Sequence, residues 1–331
     1  MISTNDIGDG GRGGPRNYGD FLVANQWKKG LFLSLTTAFM WGLLPIALSV
    51  VLKDMTPVTV NMYRFLFAGI ILFSILWGAG RLPSLKSRSS SFWLYLFIVI
   101  GGLSFNYFFY VLGLSNTSST AVQLLIQLAP IGLTISSIFI FKESFSLKQS
   151  LSYLILVFGL LLFFHDHFHD LTKPGSTYRM GIVFIIFAAI TWISYALAQK
   201  KLLKTMGSQQ ILMITFLACG VILLPFSVPE EAFELDMIQV GCLVFCIINT
   251  NIAYGAFSEA MLCWEASRVS AVLSLVPLIT LGLVAFGSKL FPDTVPVEYF
   301  DWINILGASL VVFGSMGASL TRVVIKTNHN Q

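Results

Sequence analysis

Charge is the scarcest property of this sequence. Asp, Glu, Lys and Arg together make up 11% of its 331 residues, and there are only four histidines. A soluble domain carries about 25% charged residues. Hydrophobic residues make up 56% of the chain instead, and the mean hydropathy is +0.80. The chain is too short of polar surface for a water-soluble fold, so we expect its solvent to be lipid.

Cysteine, histidine and nucleotide-binding loops are scarce as well. The four cysteines lie in or at the ends of apolar segments, which argues against a disulfide framework or a Cys metal site. No Gly-Lys loop that would cradle a nucleotide is present, which argues against an ATP-driven pump. Three of the four histidines lie together in 165–169, so no nucleophile–base pair converges within the membrane. We predict no enzyme activity, no cofactor and no resident metal.

Ten apolar stretches follow a Gly-rich, polar N-terminal segment, 1–29, which we expect to be a disordered tail. Each stretch is about as long as the ~20 residues that a helix needs to cross a bilayer. Unpaired backbone groups are not tolerated in lipid, so the stretches are predicted to be helices. The predicted spans are 30–52, 58–79, 92–113, 121–141, 147–165, 181–199, 209–227, 238–262, 269–290 and 300–320.

The second half of the sequence repeats the first. Trp41 recurs as Trp192 at an offset of 151, and Gly159 recurs as Gly314 at an offset of 155. Offsets that drift by a few residues indicate loop insertions between two copies of one unit. The predicted parts are a first five-helix repeat over 30–165, a linker over 166–180, a second five-helix repeat over 181–320 and a C-terminal tail over 321–331.

The basic residues of the connections predict the orientation. Fifteen Lys and Arg residues lie on the side of the N-terminus and four on the opposite side, so both termini are predicted to be cytoplasmic. Five helices is an odd number, so the second copy enters the membrane from the opposite side. Such inverted repeats are a recurrent plan of secondary transporters, with the site near the midplane. The net charge of +4 reflects this topology and gives no argument for nucleic acid.

Arg64 is the candidate for a charged group in the site. It lies within the second span, where a charge is costly and usually faces a cavity or a partner. The alternative is snorkelling, because Arg64 is only about two turns from the start of the helix at Pro57 and its long stem can reach the interface.

The fourth and ninth spans carry matching polar faces. Each face consists of two polar residues and a proline at positions i, i+4 and i+7. They are Gln123, Gln127 and Pro130 in the first copy, and Ser270, Ser274 and Pro277 in the second. A proline frees a carbonyl in mid-membrane, which is tolerated when protein or a watery cavity receives it. Polar groups can also simply hold helices together, but two matched faces favour a central pocket.

Further candidates for substrate binding lie in the first, third, sixth and eighth spans. Aromatic bodies with polar tips line a mostly apolar pocket well and supply a few hydrogen bonds. Helix packing is the alternative for each of them. These candidates are Trp41, Asn106, Tyr107, Tyr110, Trp192, Tyr195, Asn249, Asn251 and Tyr254.

The order of these features resembles the drug/metabolite transporter (DMT) superfamily, and within it the EamA type. The resemblance covers about 30–320 and includes Arg64 in the second span, with Pro130 and Pro277 in the fourth and ninth. It implies an all-α, polytopic carrier of ten transmembrane helices in two inverted five-helix repeats. Members move small organic metabolites, such as amino acids or their relatives, by alternating access, and are often exporters. Leu290 departs from the pattern, which expects an acid there.

A transporter or channel for an inorganic cation such as Mg²⁺ is the alternative, since some relatives of the fold handle metal ions. It would require hard oxygen ligands within the membrane, and apart from Glu259 no carboxylate lies in the interior of a span. The run from His165 to Asp170 is interpreted as a solvated connection rather than a metal site. We expect a monomer or homodimer in the cell inner (plasma) membrane, with the lipid bilayer and a small-molecule substrate as partners.

Overall fold

The structure is a computed structural model, and all of its regular secondary structure within the described residues is helical. The described residues are 18–86, 88–129, 132, 136, 146–167, 173, 175–264, 266–290, 292, 295 and 298–320. The helices are α1 (Tyr18–Val51), α2 (Pro57–Gly78), α3 (Ser90–Asn116), α4 (Ser119–Leu125), α5 (Leu147–Phe163), α6 (Thr177–Leu202), α7 (Ser208–Leu223), α8 (Met237–Cys263), α9 (Ala266–Leu273), α10 (Val276–Leu290) and α11 (Trp302–Leu320). Short 3₁₀ helices lie at His165–His167, Leu224–Phe226 and Pro229–Phe233.

These helices confirm the prediction of an all-α, polytopic membrane protein. Within the described part of the chain, seven helices are long and apolar enough to cross a bilayer, and α9 and α10 together supply one of them, Ala271–Leu290. The shorter apolar helices Leu147–Phe163 and Trp302–Ala318 match the fifth and tenth predicted spans. The fourth begins as α4, and most of its second half, including Pro130, lies outside the described residues.

The first helix begins earlier than the sequence predicts. The predicted tail extends to residue 29, whereas α1 begins at Tyr18, so that residues 18–29 are helical. Between Gly19 and Gly30 the chain has neither proline nor glycine, so nothing interrupts the helix on the N-terminal side of the membrane span. The predicted linker 166–180 is likewise shortened, because α6 begins at Thr177.

Polar caps define where several helices begin. The side chain of Ser118 accepts a hydrogen bond from the backbone N–H of Ala121 at the start of α4. Asp236 forms a reciprocal capping box with Gln239 at the start of α8. Each cap satisfies backbone donors that have no partner within the helix. These caps therefore fix the residue at which each of the two helices begins.

The helices pair in a pattern that an exchange of the two halves would preserve. The most extensive contacts join α1 with α8, α3 with α6, α2 with α7, and α5 with α11. When α1 is exchanged for α6 and α3 for α8, the first two pairs convert into each other, and the last two convert into themselves. The two halves of the chain are thus interleaved, and each long helix of one half packs against the other half.

Glycines allow two of these pairs to approach closely. A Cβ atom on Gly307 of α11 would lie 2.5 Å from the backbone N of Phe163 and 2.7 Å from the carbonyl O of Gly159 in α5. In the α2–α7 pair, Cβ atoms on Gly69 and Gly220 would each lie 2.8 Å from a backbone N of the other helix. Small residues at such crossings are the usual means of close packing between helices in lipid.

The connections gather at two ends of the bundle. At the end nearer the N-terminus, which we call the near end, Gln210 Nε2 donates to the carbonyl O of Arg81 at 2.7 Å. At the opposite end, the far end, Glu231 Oε2 accepts from the backbone N of Thr56 at 2.8 Å and from its Oγ1 at 3.0 Å. Between the two ends, large apolar side chains face outward: Phe97 of α3 is 75% exposed. An apolar exterior between polar ends is what a bilayer requires.

Candidate functional site

Four aromatic residues and one arginine form a continuous group between the two halves of the chain. The ring centroid of Tyr254 lies 5.5 Å from that of Trp41, 6.0 Å from that of Tyr107 and 6.3 Å from that of Tyr195. The guanidinium carbon of Arg64 lies 4.5 Å from the ring centroid of Tyr107. We call these five residues the aromatic cluster. They come from α1, α2, α3, α6 and α8, so the cluster joins both halves.

Arg64 is enclosed by protein, which excludes the snorkelling interpretation. Its exposed fraction is 1%, and the residue lies about 10 Å along α2 from Pro57 at 1.5 Å per residue. Its Nη1 donates to Oδ1 of Asn61 at 3.4 Å, and Asn61 Nδ2 donates to the carbonyl O of Tyr107 at 3.0 Å. Its Nε is buried without a hydrogen-bond partner among the described residues. Arg64 is therefore a fixed cation whose donors are only partly used.

Three successive carbonyl groups of α1 accept hydrogen bonds from other helices. The donors are Asn249 Nδ2 to Met40 O at 2.6 Å, Gln123 Nε2 to Trp41 O at 2.7 Å, and Thr280 Oγ1 to Gly42 O at 2.8 Å. Pro45 explains the contact with Trp41, because it lacks the N–H that would bond to the carbonyl four residues earlier. Gln123 thus satisfies the carbonyl that Pro45 frees.

The fourth span is broken at matching positions in the two halves. α4 ends at Leu125 before a turn at Ile126–Gln127, and α9 ends at Leu273 before a turn at Ser274–Leu275. Pro277 lacks the N–H for the carbonyl of Leu273, and its ring disfavours continuing the helix. Each break thus falls a few residues before the proline of its polar face.

Side chains from both halves close the second break. Gln127 Nε2 donates to the freed carbonyl O of Leu273 at 3.5 Å. Gln127 Oε1 accepts from Ser315 Oγ at 2.9 Å, and Ser274 Oγ donates to Ser315 Oγ at 3.2 Å. We call Gln127, Ser274 and Ser315 the break network. The carbonyl that Pro277 frees is therefore satisfied by a protein side chain, and not by a watery cavity.

The remaining predicted site residues lie around these two groups. Tyr110 OH accepts from Gln123 at 3.1 Å, and Asn106 Nδ2 donates to the carbonyl O of Ala188 at 2.8 Å, joining α3 to α6. Trp192 lies beside Phe257, with ring centroids 6.4 Å apart. Ser270 belongs to α9, and its side chain lies outside the described ones. The side-chain amides of Asn106 and Gln123 therefore donate hydrogen bonds to backbone carbonyls of neighbouring helices.

Buried polar atoms without partners mark where a ligand would be useful. Besides Arg64 Nε, they include Asn249 Oδ1 and both polar amide atoms of Asn251. None of these atoms has a hydrogen-bond partner among the described residues. Asn251 lies on α8 one turn before Tyr254 of the aromatic cluster. Buried polar groups are almost always satisfied in native proteins, so such atoms call for a bound water or a bound molecule.

Sequence reasoning missed one partly buried carboxylate. Glu298, in the connection before α11, accepts a hydrogen bond from the backbone N of Thr120 at 3.4 Å, at the start of α4. Burial raises the pKa of Glu298 above its ordinary value, and the hydrogen bonds from Thr120 and Ser118 oppose that rise. Its position in a connection gave no signal in the sequence, because its contact with α4 joins residues 178 positions apart.

No metal site is assembled from the side chains that the structure describes. Within those ranges, no group of three or more His, Cys, Asp or Glu residues is placed to hold an ion. Glu259 lies 3.9 Å from Lys29 Nζ at the near end of the bundle. His165 Nε2 lies 3.4 Å from Asp301 Oδ2 in the connections of the far end. Neither observation supplies the cation alternative with a site.

These observations define a class of protein. A multi-pass helical membrane protein with two interleaved halves and a polar, aromatic site between them follows the plan of a secondary transporter. The match to a known family is specific: the EamA-like transporter family matches residues 28–165 and, a second time, residues 179–320. The chain belongs to the EamA-like transporter family and is a membrane transporter of the EamA/DMT type.

Curated relatives agree with this assignment. The chain is 39% identical to the uncharacterized inner membrane transporter YhbE of Escherichia coli K12 over 292 residues, which cover 88% of this chain and 91% of YhbE. It is 34% identical to an uncharacterized transporter of Haemophilus influenzae, covering 87% of this chain and 93% of that protein. A solved crystal structure aligns with a TM-score of 0.64 at 18% identity, over 88% of this chain and 97% of the other, and supports the fold.

Replacing Gln123 by leucine is expected to destabilise the protein by about 1–3 kcal/mol, because it leaves a buried carbonyl without a donor. The carbonyl of Trp41 has no N–H partner within α1, because residue 45 is a proline. Gln123 Nε2 donates to this carbonyl at 2.7 Å instead. Thermal unfolding of the purified protein in detergent measures the change. Gln209→Leu, at the start of α7, makes the same chemical change away from that carbonyl and serves as the control. Equal unfolding temperatures for the two variants would contradict the assigned role.

Proposed function

We propose that this protein is a secondary transporter that exports a small organic metabolite, such as an amino acid or a related compound, across the inner membrane by alternating access. The observation that carries the proposal is the aromatic cluster, with unsatisfied polar atoms beside it, at the interface of the two halves. Its residues come from five helices, so any relative movement of the halves changes the cluster. A site between two halves that move can be accessible from one side of the membrane at a time.

The composition of the site favours an organic molecule. The rings of Trp41, Tyr107 and Tyr254 supply apolar surface with a few polar points, which is the usual lining of a small-molecule site. An Mg²⁺ ion would instead need several carboxylate or carbonyl oxygens in octahedral arrangement. The cation of Arg64 is a repulsive neighbour for such an ion, so the cation alternative gains no support.

Both ends of the bundle carry contacts that are suited to open and close. At the near end, Lys29 and Glu259 form an exposed pair, and the ring centroids of Trp27 and Trp264 lie 5.7 Å apart. At the far end, Glu231 accepts hydrogen bonds from Thr56. An exposed ion pair contributes about 0–1 kcal/mol and a hydrogen bond about 0.5–1.5 kcal/mol, so these contacts can break during a transport cycle.

A thermal-shift screen of amino acids and other small metabolites on the purified protein tests the proposal. A molecule that binds the folded protein raises its unfolding temperature in proportion to the logarithm of concentration. Asn251→Leu is expected to abolish that shift without destabilising the empty protein, because the amide atoms of Asn251 have no hydrogen-bond partner among the residues that the structure describes. Ser74→Ala, on an exposed face of α2, is the control.

Flux of the stabilising molecule into or out of proteoliposomes then tests transport directly. Export is indicated when an imposed proton or sodium gradient of the cellular direction drives net flux from the predicted cytoplasmic side. A full thermal response in the Asn251→Leu variant would show that the site lies elsewhere. Binding without flux would show that the protein is not a carrier of that molecule.

A further inference from the structure

We propose that Arg64 binds an anionic group of the transported molecule, so that the substrate is a small organic acid with a carboxylate. This inference rests on the proposed transport function and adds the charge of the cargo. Arg64 belongs to the aromatic cluster, where the neighbouring groups are rings and amides. The proposal places the carboxylate at the guanidinium and the rest of the molecule against the rings.

The first argument is charge balance. Arg64 is the only charged residue that is fully buried among the described residues, whereas Glu298, in the connection before α11, is partly buried. The ion pairs found there involve Lys29 with Glu259 and His165 with Asp166 or Asp301, and none includes Arg64. A guanidinium stays protonated in proteins, so it cannot escape its burial by losing a proton. A buried charge without a counter-charge is strongly unfavourable, and an incoming anion removes that penalty.

The second argument is geometry. The ring of Tyr107 covers one face of the guanidinium, and Asn61 holds the group from one edge. The contact with Asn61 is 3.4 Å long, beyond the range of about 2.7–3.2 Å of a good N–H to O hydrogen bond. The Nε–H is buried and has no acceptor within the described part of the chain. The guanidinium is therefore held in place with donors to spare, and its planar fork matches the two oxygens of a carboxylate.

The third argument separates a carboxylate from a phosphate. One cation balances one negative charge, and within the described residues no second buried cation stands beside Arg64. A phosphate group carries between one and two negative charges at pH 7 and needs more donors than this group offers. Aromatic walls also fit the apolar body of an organic acid better than the polar body of a sugar phosphate.

A purely structural role for Arg64 makes a different prediction. If Arg64 served only to hold α2 against α3 through Tyr107 and Asn61, its removal would destabilise the empty protein. If it is held in reserve for an anion, removing its charge relieves a penalty instead. The empty Arg64→Gln variant is therefore expected to unfold at the same temperature as the wild type or at a higher one.

The experiment measures thermal stability at constant ionic strength with matched pairs of probes. The pairs are benzoate and benzamide, 3-methylbutanoate and its amide, and L-leucine and L-leucinamide. At least one carboxylate is expected to stabilise the wild type, while its amide is not. Arg64→Gln is expected to weaken the apparent affinity for that carboxylate roughly 10- to 100-fold, the range of a lost charged hydrogen bond.

Two variants control for other effects of the substitution. Arg179→Gln removes the same charge from an exposed position at the start of α6 and is expected to keep the response. Arg64→Lys keeps the charge without the planar fork and is expected to fall between wild type and Arg64→Gln. An Arg64→Gln variant that does not fold would show a structural role for Arg64, and the anion proposal would then stand only if the carboxylates stabilise the wild type and the lysine variant weakens their effect.

The outcomes separate this inference from the proposed function. It is overturned if Arg64→Gln keeps the full carboxylate response, or if no carboxylate stabilises the wild type. If neutral or cationic metabolites stabilise the wild type and lose that effect in Asn251→Leu, the transporter proposal stands and the anion proposal fails. If no molecule of any charge has an effect, both proposals fail.

Discussion

Cross-linking position 56 to position 231 is expected to reduce transport to the level of empty vesicles. In the structure, Glu231 Oε2 accepts hydrogen bonds from the backbone N and the Oγ1 of Thr56, which joins the α1–α2 turn to the α7–α8 connection. Alternating access requires this end of the bundle to open in one half of the cycle. A Thr56→Cys, Glu231→Cys pair bridged by a short bis-thiosulfonate reagent would prevent that opening.

The neighbouring contacts show why a covalent bridge has a larger effect than any single side-chain change. The same connection is held to α2 by hydrogen bonds from Val228 N to Thr59 Oγ1 and from Tyr63 OH to the carbonyl O of Pro229, each 3.0 Å long. Each such bond contributes about 0.5–1.5 kcal/mol, so removing one shifts the opening equilibrium only modestly. A covalent link instead removes the open state from the ensemble.

The measurement is the flux of the metabolite identified by the thermal-shift screen, in a background in which the four native cysteines are replaced. Each single cysteine variant, treated with the same reagent, should keep its flux, and reduction of the bridge should restore it. Undiminished flux in the bridged protein would show that the far end does not open at this contact. The gating part of the proposed mechanism would then be wrong.

The sequence predicts the helices well because lipid imposes simple requirements on composition. A span needs about 20 apolar residues, and that requirement alone places nine of the predicted helices on described ones. The exceptions follow from local effects that hydropathy does not report. Helix α1 continues back to Tyr18 because nothing interrupts it, and α9 separates from α10 because Pro277 removes a backbone donor. The boundaries of the two repeats, 30–165 and 181–320, remain a prediction.

The roles of the polar residues are harder to predict because their partners lie far away in the sequence. Gln127 and the carbonyl of Leu273, which it bonds, are separated by 146 positions. Pro277 indicated that a carbonyl would be freed, but not that Gln127 of the fourth span would donate to it. Gln123 of the same span donates to the carbonyl of Trp41, which Pro45 frees and which the sequence analysis did not single out. For Arg64, the sequence left snorkelling and a site open, and only the packing of α2 against α3 decides between them. Substrate binding by the predicted residues stays a prediction.

Residues 207 and 231 are expected to be labelled from opposite faces of the membrane. Helix α7, Ser208–Leu223, lies between them and is about 24 Å long at 1.5 Å per residue, with a 3₁₀ turn continuing to Phe226. In the cysteine-free background, Gly207→Cys should react with an impermeant maleimide only from the cytoplasm. Glu231→Cys should react only from outside. A permeant maleimide that labels both variants is the control for reactivity.

The labelling result also fixes the side of the membrane to which each gate belongs. The excess of Lys and Arg at the near end predicts that this end is cytoplasmic, and Glu231 would then close the outer side. Exchange of the two labelling patterns would reverse the orientation and the direction of export while leaving the carrier mechanism intact. Labelling of both positions from one face would be incompatible with α7 as a span. It would leave the second half with four crossings against five in the first, so the two halves would no longer be inverted copies of one unit.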